Sequence, residues 1–184
     1  MKHVFLVLGA VAAAPVLAAE PALPLPAPRD ASGWGGFHAG MQVGRTDTLL
    51  TYRGQSVPGA DTRTLGGHAG FSADLGAHVL GVEADVTRFL GTSGDLARLK
   101  GRAGMDLGRF QPYLLLGVAR LSGDGLLETA PVVGLGGDWK ATDRLSIGVE
   151  YTRQEFQDAA TDRLGVPDAD LRIELVHLRL SWRF

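Results

Sequence analysis

One pattern constrains this chain more than any other. From residue 37 onward apolar side chains return at every second position, while glycine and polar residues fill the phase between them. Phe37, Ala39, Met41 and Val43 alternate with Gly36, His38, Gly40, Gln42 and Gly44, which is the period of a strand with two unlike faces. The alternation recurs in seven further stretches. Leu65, Gly67, Ala69, Phe71 and Ala73 oppose His68, Gly70, Ser72 and Asp74; Leu80, Val82, Ala84 and Val86 oppose Gly81, Glu83, Asp85 and Thr87. Leu99, Ala103, Met105 and Leu107 oppose Lys100, Arg102, Gly104 and Asp106, and a fifth stretch from Tyr113 is apolar almost throughout, so its phase stays open. Val133, Leu135 and Trp139 oppose Gly134, Gly136 and Asp138, and Leu145, Ile147, Val149 and Tyr151 oppose Ser146, Gly148, Glu150 and Thr152. The last stretch sets Val176, Leu178, Leu180, Trp182 and Phe184 against His177, Arg179, Ser181 and Arg183.

Stretches of this length match a transmembrane β-strand of about 9 to 11 residues. Their spacers alternate strictly between long or medium (47–62, 90–95, 122–128, 157–170) and tight (75–78, 108–111, 141–144), as in an up-and-down barrel whose turns on one side are short. Glycine supplies 26 of the 184 residues, about twice its usual share, and its cost in helices argues further for strands. A soluble barrel would also alternate, with its polar face in water. Here the polar face is the glycine-rich one, which suits the crowded inside of a narrow barrel. The expected fold is therefore all-β, an eight-stranded antiparallel up-and-down transmembrane β-barrel turned inside out, with apolar side chains outward.

The N-terminal segment fits export. Lys2 precedes an apolar run from Val4 to Ala14, and small residues at Ala18 and Ala19 stand where a signal peptidase cuts. The run is too short to span a membrane as a helix, and Pro15 interrupts it. The expected organisation is a signal peptide over 1–19, a linker over 20–32 carrying Pro21, Pro24, Pro26 and Pro28, and a barrel over 33–184. With 18 basic against 20 acidic residues, no cationic surplus exists to hold nucleic acid. The chain has no cysteine, which excludes disulfides, thiolate metal sites and Cys nucleophiles.

Placing both termini in the periplasm brings Trp34, Trp139 and Trp182 to one membrane edge as an interfacial girdle, with Phe89, Tyr151 and Phe156 near the other. These features resemble the small opacity-type, OmpA-like outer-membrane barrels of Gram-negative bacteria. The matching pieces are Gly33 to Phe37, Gly81 to Asp85, Lys100 to Gly104, Pro112-Tyr113, Gly134 to Asp138, Val149 to Tyr151 and Leu180 to Phe184. The resemblance implies an outer-membrane location and partnership with outer-membrane lipid, lipopolysaccharide and the barrel-assembly machinery. It implies that Val176, Leu178, Leu180, Trp182 and Phe184 form the signal read by that machinery. Ending at Phe184, the chain is expected to lack the peptidoglycan-binding domain of the larger OmpA type.

Inward Glu83, Asp85, Asp138 and Glu150 are expected to pair with Lys100, Arg102, Arg179 and Arg183, because unpaired charges in a closed lumen are costly. His38, His68 and His177 face inward and His78 lies in a turn; two imidazoles without a third ligand make a poor metal site, so neither metal nor cofactor is expected. A lipid-facing Ser-His pair at the rim, which an acyl hydrolase would need, is missing from the pattern. The expected role is structural and non-enzymatic: a monomer supporting envelope integrity, antigenicity or adhesion, binding a host or surface ligand through 47–62 and the acidic 157–170. A small gated ion or water channel is the rival, and a lipid A-modifying hydrolase a more distant one.

Overall fold

The computed structural model describes residues 33–52, 55–59, 61–123, 126–156 and 169–184. The expected signal peptide and linker and most of 157–170 lie outside these residues. Among the described residues every regular element is a strand: β1 (Gly36–Tyr52), β2 (Gln55–Pro58), β3 (Thr62–Asp74), β4 (His78–Phe89), β5 (Asp95–Met105), β6 (Phe110–Gly123), β7 (Leu126–Lys140), β8 (Leu145–Phe156) and β9 (Ala169–Arg183).

β1 pairs antiparallel with both β2 and β3, each strand from β3 onward pairs antiparallel with the next, and β9 returns to β1 in a register that sets Leu180 opposite Met41. Closure leaves the eight-stranded wall without a free edge, which is how an antiparallel sheet survives without water to satisfy its backbone. Eight strands make the barrel wall. The ninth, β2, lies end to end with β3 along the same side of β1, so β1 and the β2–β3 pair form one long hairpin. The spacer expected over 47–62 is in part strand: the β1 ladder runs on to Tyr52. Gly59 lies at the break between β2 and β3, where its amide donates to the Thr48 carbonyl at 2.7 Å.

Two of the tight turns use one device. Asp74-Leu75-Gly76 and Asp106-Leu107-Gly108 each place glycine at positive φ, with the Asp carboxylate accepting from the glycine amide at 3.0 and 2.8 Å. A side chain on that glycine would strain the left-handed backbone, and the carboxylate mimics a backbone turn. The third turn uses Thr142, whose hydroxyl accepts from the Leu145 amide at 3.0 Å. These turns and residues 33 and 184 share one mouth, the turn end; the longer connections share the other, the loop end.

The wall is inverted as the alternation requires. Leu116 is 71% exposed and Phe37 67%, whereas Glu83 and Lys100 are 1% exposed. The glycines of the inner face answer the large residues across the ladder. His38 is registered against Gly70, His68 against Gly40 and His177 against Gly44. Lys100 faces Gly117, Arg102 faces Gly81, Tyr113 faces Gly136 and Arg179 faces Gly148. A narrow barrel can hold long inward side chains only where the opposite position gives up its own.

At the loop end the inside is apolar. Phe89, Leu96, Leu121, Ala130, Val132, Phe156, Ile173 and Leu175 pack into one buried cluster. Phe89 and Phe156, expected at an interface, thus point inward, because their strand positions share the phase of Glu83 and Glu150. Strand β6 is apolar on both faces, with Leu114 and Leu116 outside and Leu115 and Leu121 inside, which explains why its phase could not be read.

Gly136→Val should lower the urea midpoint of the detergent-folded protein. A carbon at that position falls 2.5 Å from the Tyr113 ring, an overpacking cost of about 1 to 3 kcal/mol.

Candidate functional site: the barrel lumen

Midway along the lumen, strands β4, β5, β7, β8 and β9 each contribute charged side chains to one network. Lys100 is its centre. Its Nζ lies 2.9 Å from Glu83 Oε1, 2.8 Å from Asp85 Oδ2 and 2.6 Å from Glu150 Oε1. Arg179 donates to Glu83 at 2.6 Å and also to Glu150 Oε2. Arg102 bridges Glu83 at 2.9 Å and Asp138 at 2.6 Å, with its guanidinium 3.7 Å from the centre of the Tyr113 ring.

The structure therefore brings Glu83, Asp85, Lys100, Arg102, Asp138, Glu150 and Arg179 into one group. Two members escaped the sequence reading. Arg98 donates Nε to both Asp85 oxygens, at 2.9 and 3.2 Å, and Nη1 to the Thr152 hydroxyl at 2.7 Å. The signal was available, since Arg98 shares the phase of Lys100 and Arg102. Tyr113 donates its hydroxyl to Glu150 at 3.1 Å, and its inward direction was hidden by the two apolar faces of β6. With Arg98 the network holds four cations against four carboxylates, so charge is balanced where water is scarce.

The histidines border this group. His38 Nε2 lies 3.2 Å from Glu83 Oε2, His68 Nε2 lies 2.7 Å from Ser181 Oγ and His177 Nε2 lies 3.2 Å from Thr64 Oγ1. The rings of His38 and His68 approach to 6.4 Å between centroids. The Ser181–His68 contact is a serine-imidazole pair that spacing along the chain did not reveal. Both residues are buried and face the lumen, away from the outer surface where an acyl chain would lie. Glu83, Asp85 and Glu150 offer oxygens within 4.8 Å of one another, the spacing of a cation site, and the Lys100 ammonium stands among them.

At the turn end Trp34 departs from the expected girdle. It is wholly buried in the mouth, its indole N–H donating to the Gly108 carbonyl at 2.9 Å and Lys140 Nζ lying 4.4 Å from its ring centre. Arg183, expected among the ion pairs, instead donates to the backbone carbonyls of Trp34 and Gly35. The reason is local: the chain reaches β1 from inside the rim, and the two cations at the mouth draw the ring over the opening. Trp139 and Trp182 do face outward, at 53% and 44% exposure. Val176, Leu178, Leu180 and Phe184 lie on the same outer face.

From mouth to mouth the lumen thus holds a capped indole, a neutral ionic network and an apolar layer. Neither a protein-family model nor a curated protein sequence matches this chain to significance. Among solved structures, the chain is similar to Neisserial surface protein A, with a TM-score of 0.55 at 14% identity over 81% of this chain and 97% of that one. It is also similar to the N-terminal β-barrel domain of Pseudomonas aeruginosa OprF, with a TM-score of 0.52 at 14% identity over 78% and 97% of the two chains. These likenesses establish the shared fold, a closed eight-stranded barrel.

Lys100→Met should be the most damaging single change in the network, because it leaves three clustered carboxylates without their shared cation. A loss of about 3 to 5 kcal/mol is expected by denaturant titration. Adding Glu150→Leu to that variant should recover part of the loss, and a double-mutant cycle reads the coupling.

Proposed function

We propose that this chain is an integral outer-membrane barrel whose role is structural and surface-presenting, with the lumen plugged and the loop end outside the cell. The observation that carries this reading is the inversion itself. Leu178, Leu180, Leu114, Leu116, Val82 and Phe37 are exposed around the wall while the charges are enclosed, an arrangement stable only where the surroundings are apolar. The outward Trp139 and Trp182 near the turn end suit a membrane interface, and the termini then lie in the periplasm. The fold it shares with Neisserial surface protein A supports the same placement.

On this reading the barrel works as a monomer in outer-membrane lipid and lipopolysaccharide, delivered by the barrel-assembly machinery through Val176, Leu178, Leu180, Trp182 and Phe184. Its segments 47–62 and 157–170 are displayed for adhesion or recognition by a host or surface ligand. Opening a path for ions would require separating Lys100 and Arg179 from their carboxylates and parting the apolar layer above them. The serine and histidine that do meet are sealed inside, so hydrolysis of a membrane lipid is not part of this role.

Four measurements test it. The membrane fraction should show heat-modifiable migration on a denaturing gel, and Leu178→Arg should weaken the folded form by about 2 to 4 kcal/mol in bilayers. An epitope inserted in the 90–94 turn should label intact cells, and one in the 141–144 turn should not; the opposite labelling would reverse the orientation. Purified protein in planar bilayers should give only low or flickering current, and a steady porin-sized conductance would refute the plugged lumen.

A further inference from the structure

On the outer wall, Arg45 of β1 and Arg63 of β3 are registered directly opposite one another. Both side chains point outward and are exposed. Like charges facing each other across an antiparallel ladder repel, so the pair needs an anion nearby. Among the described residues Asp61 is the one carboxylate paired with either, 3.7 Å from Arg45 and itself half exposed. Arg63 has no ion-pair partner among the described residues, and Asp47, two residues beyond Arg45, is registered against a second carboxylate, Glu174, and ion-pairs with neither arginine.

Directly beside the two arginines the wall forms an apolar groove of about 570 Å³, lined by Val43, Leu65, Leu90, Val176 and Leu178. The arginines stand about ten residues from the turn end of their strands, near the length that crosses a hydrocarbon core. Paired cations at that level above a greasy groove match one chemistry, an acylated phosphate. The guanidinium fork fits phosphate oxygens bidentately, and the facing pair matches the double charge of a phosphate monoester.

We infer that Arg45 and Arg63 bind the phosphate monoester of an acylated lipid of the lipid A type, one acyl chain lying in the Val43–Leu178 groove. The inference rests on the outer-membrane reading above and adds the lipid and its residues. Free phosphate would satisfy the arginines but not the groove, and a phosphodiester lipid would supply one charge where the pair presents two.

The test uses the full chain folded in neutral detergent, its fold confirmed by heat-modifiable migration, with lipid adducts counted by native mass spectrometry. Bisphosphorylated lipid A should bind about tenfold more tightly than dephosphorylated lipid A, as expected for lost charge-assisted hydrogen bonds. Arg45→Gln with Arg63→Gln should abolish that preference while leaving the gel shift intact, whereas Arg144→Gln at the turn end should preserve it. Equal binding of the two lipids by the unaltered chain, or a preference that survives the double substitution, overturns the site. Equal binding of phosphatidylglycerol overturns the monoester assignment, and displacement of lipid A by millimolar inorganic phosphate overturns the role of the groove. Failure of the unaltered chain to fold in detergent or insert into vesicles would instead remove the membrane reading itself, a result separable from all of these.

Discussion

The structure depends on keeping charge enclosed without leaving it alone. An isolated ion moved from water into a dry interior faces a penalty of several kcal/mol even after relaxation. Here eight such ions share one small volume. They are tolerable because Glu83, Asp85 and Glu150 each meet more than one cation and Asp138 meets Arg102, and because the cations come from strands on several sides of the barrel. Lys100 reaches partners on β4 and β8, Arg179 does the same from β9, and Arg102 ties β4 to β7. The network works as a set of spokes across the lumen, so its geometry is satisfied only when the ring is closed and in register. A one-residue slip in any pair would carry a charged side chain to the outer face, which makes the ions a check on pairing as well as a filling.

The same demand explains the glycines. Long polar side chains can meet at the axis only if opposing positions are empty, and the ladder supplies that space residue by residue. His38 and His68 each lie over the glycine opposite them, Gly70 and Gly40, with ring atoms where a methyl group would have to stand. Composition and geometry are thus one fact seen twice: the excess of glycine on the polar phase is the negative image of the side chains that fill the interior.

Much of this was legible in the amino-acid order because the period of a strand is short and its two faces here differ so sharply. Strand number, closure, inversion and the seven charged residues of the lumen all follow from phase. What escaped was everything that phase alone cannot carry. Phe89 and Phe156 share the phase of Glu83 and Glu150, but an aromatic ring near a strand end suits an interface as well as a packed interior, and the direction of Tyr113 was hidden because β6 is apolar on both faces. Trp34 precedes β1, where alternation has no hold, and its direction is set by Lys140, Arg183 and the Gly108 carbonyl, residues far away in sequence. The continuation of β1 to Tyr52 was missed for a similar reason, since Thr46 to Thr51 lack the strong contrast that marks the wall below them.

The way Trp34 is held ties the mouth of the barrel to its seam. Its ring takes one contact from the turn between β5 and β6 and its backbone another from the end of β9. Until β9 has zipped against β1, a nascent barrel has neither a finished seam nor a stoppered base. Closing the β1–β9 seam and stoppering the mouth at the turn end therefore rest on the same stretch of β9.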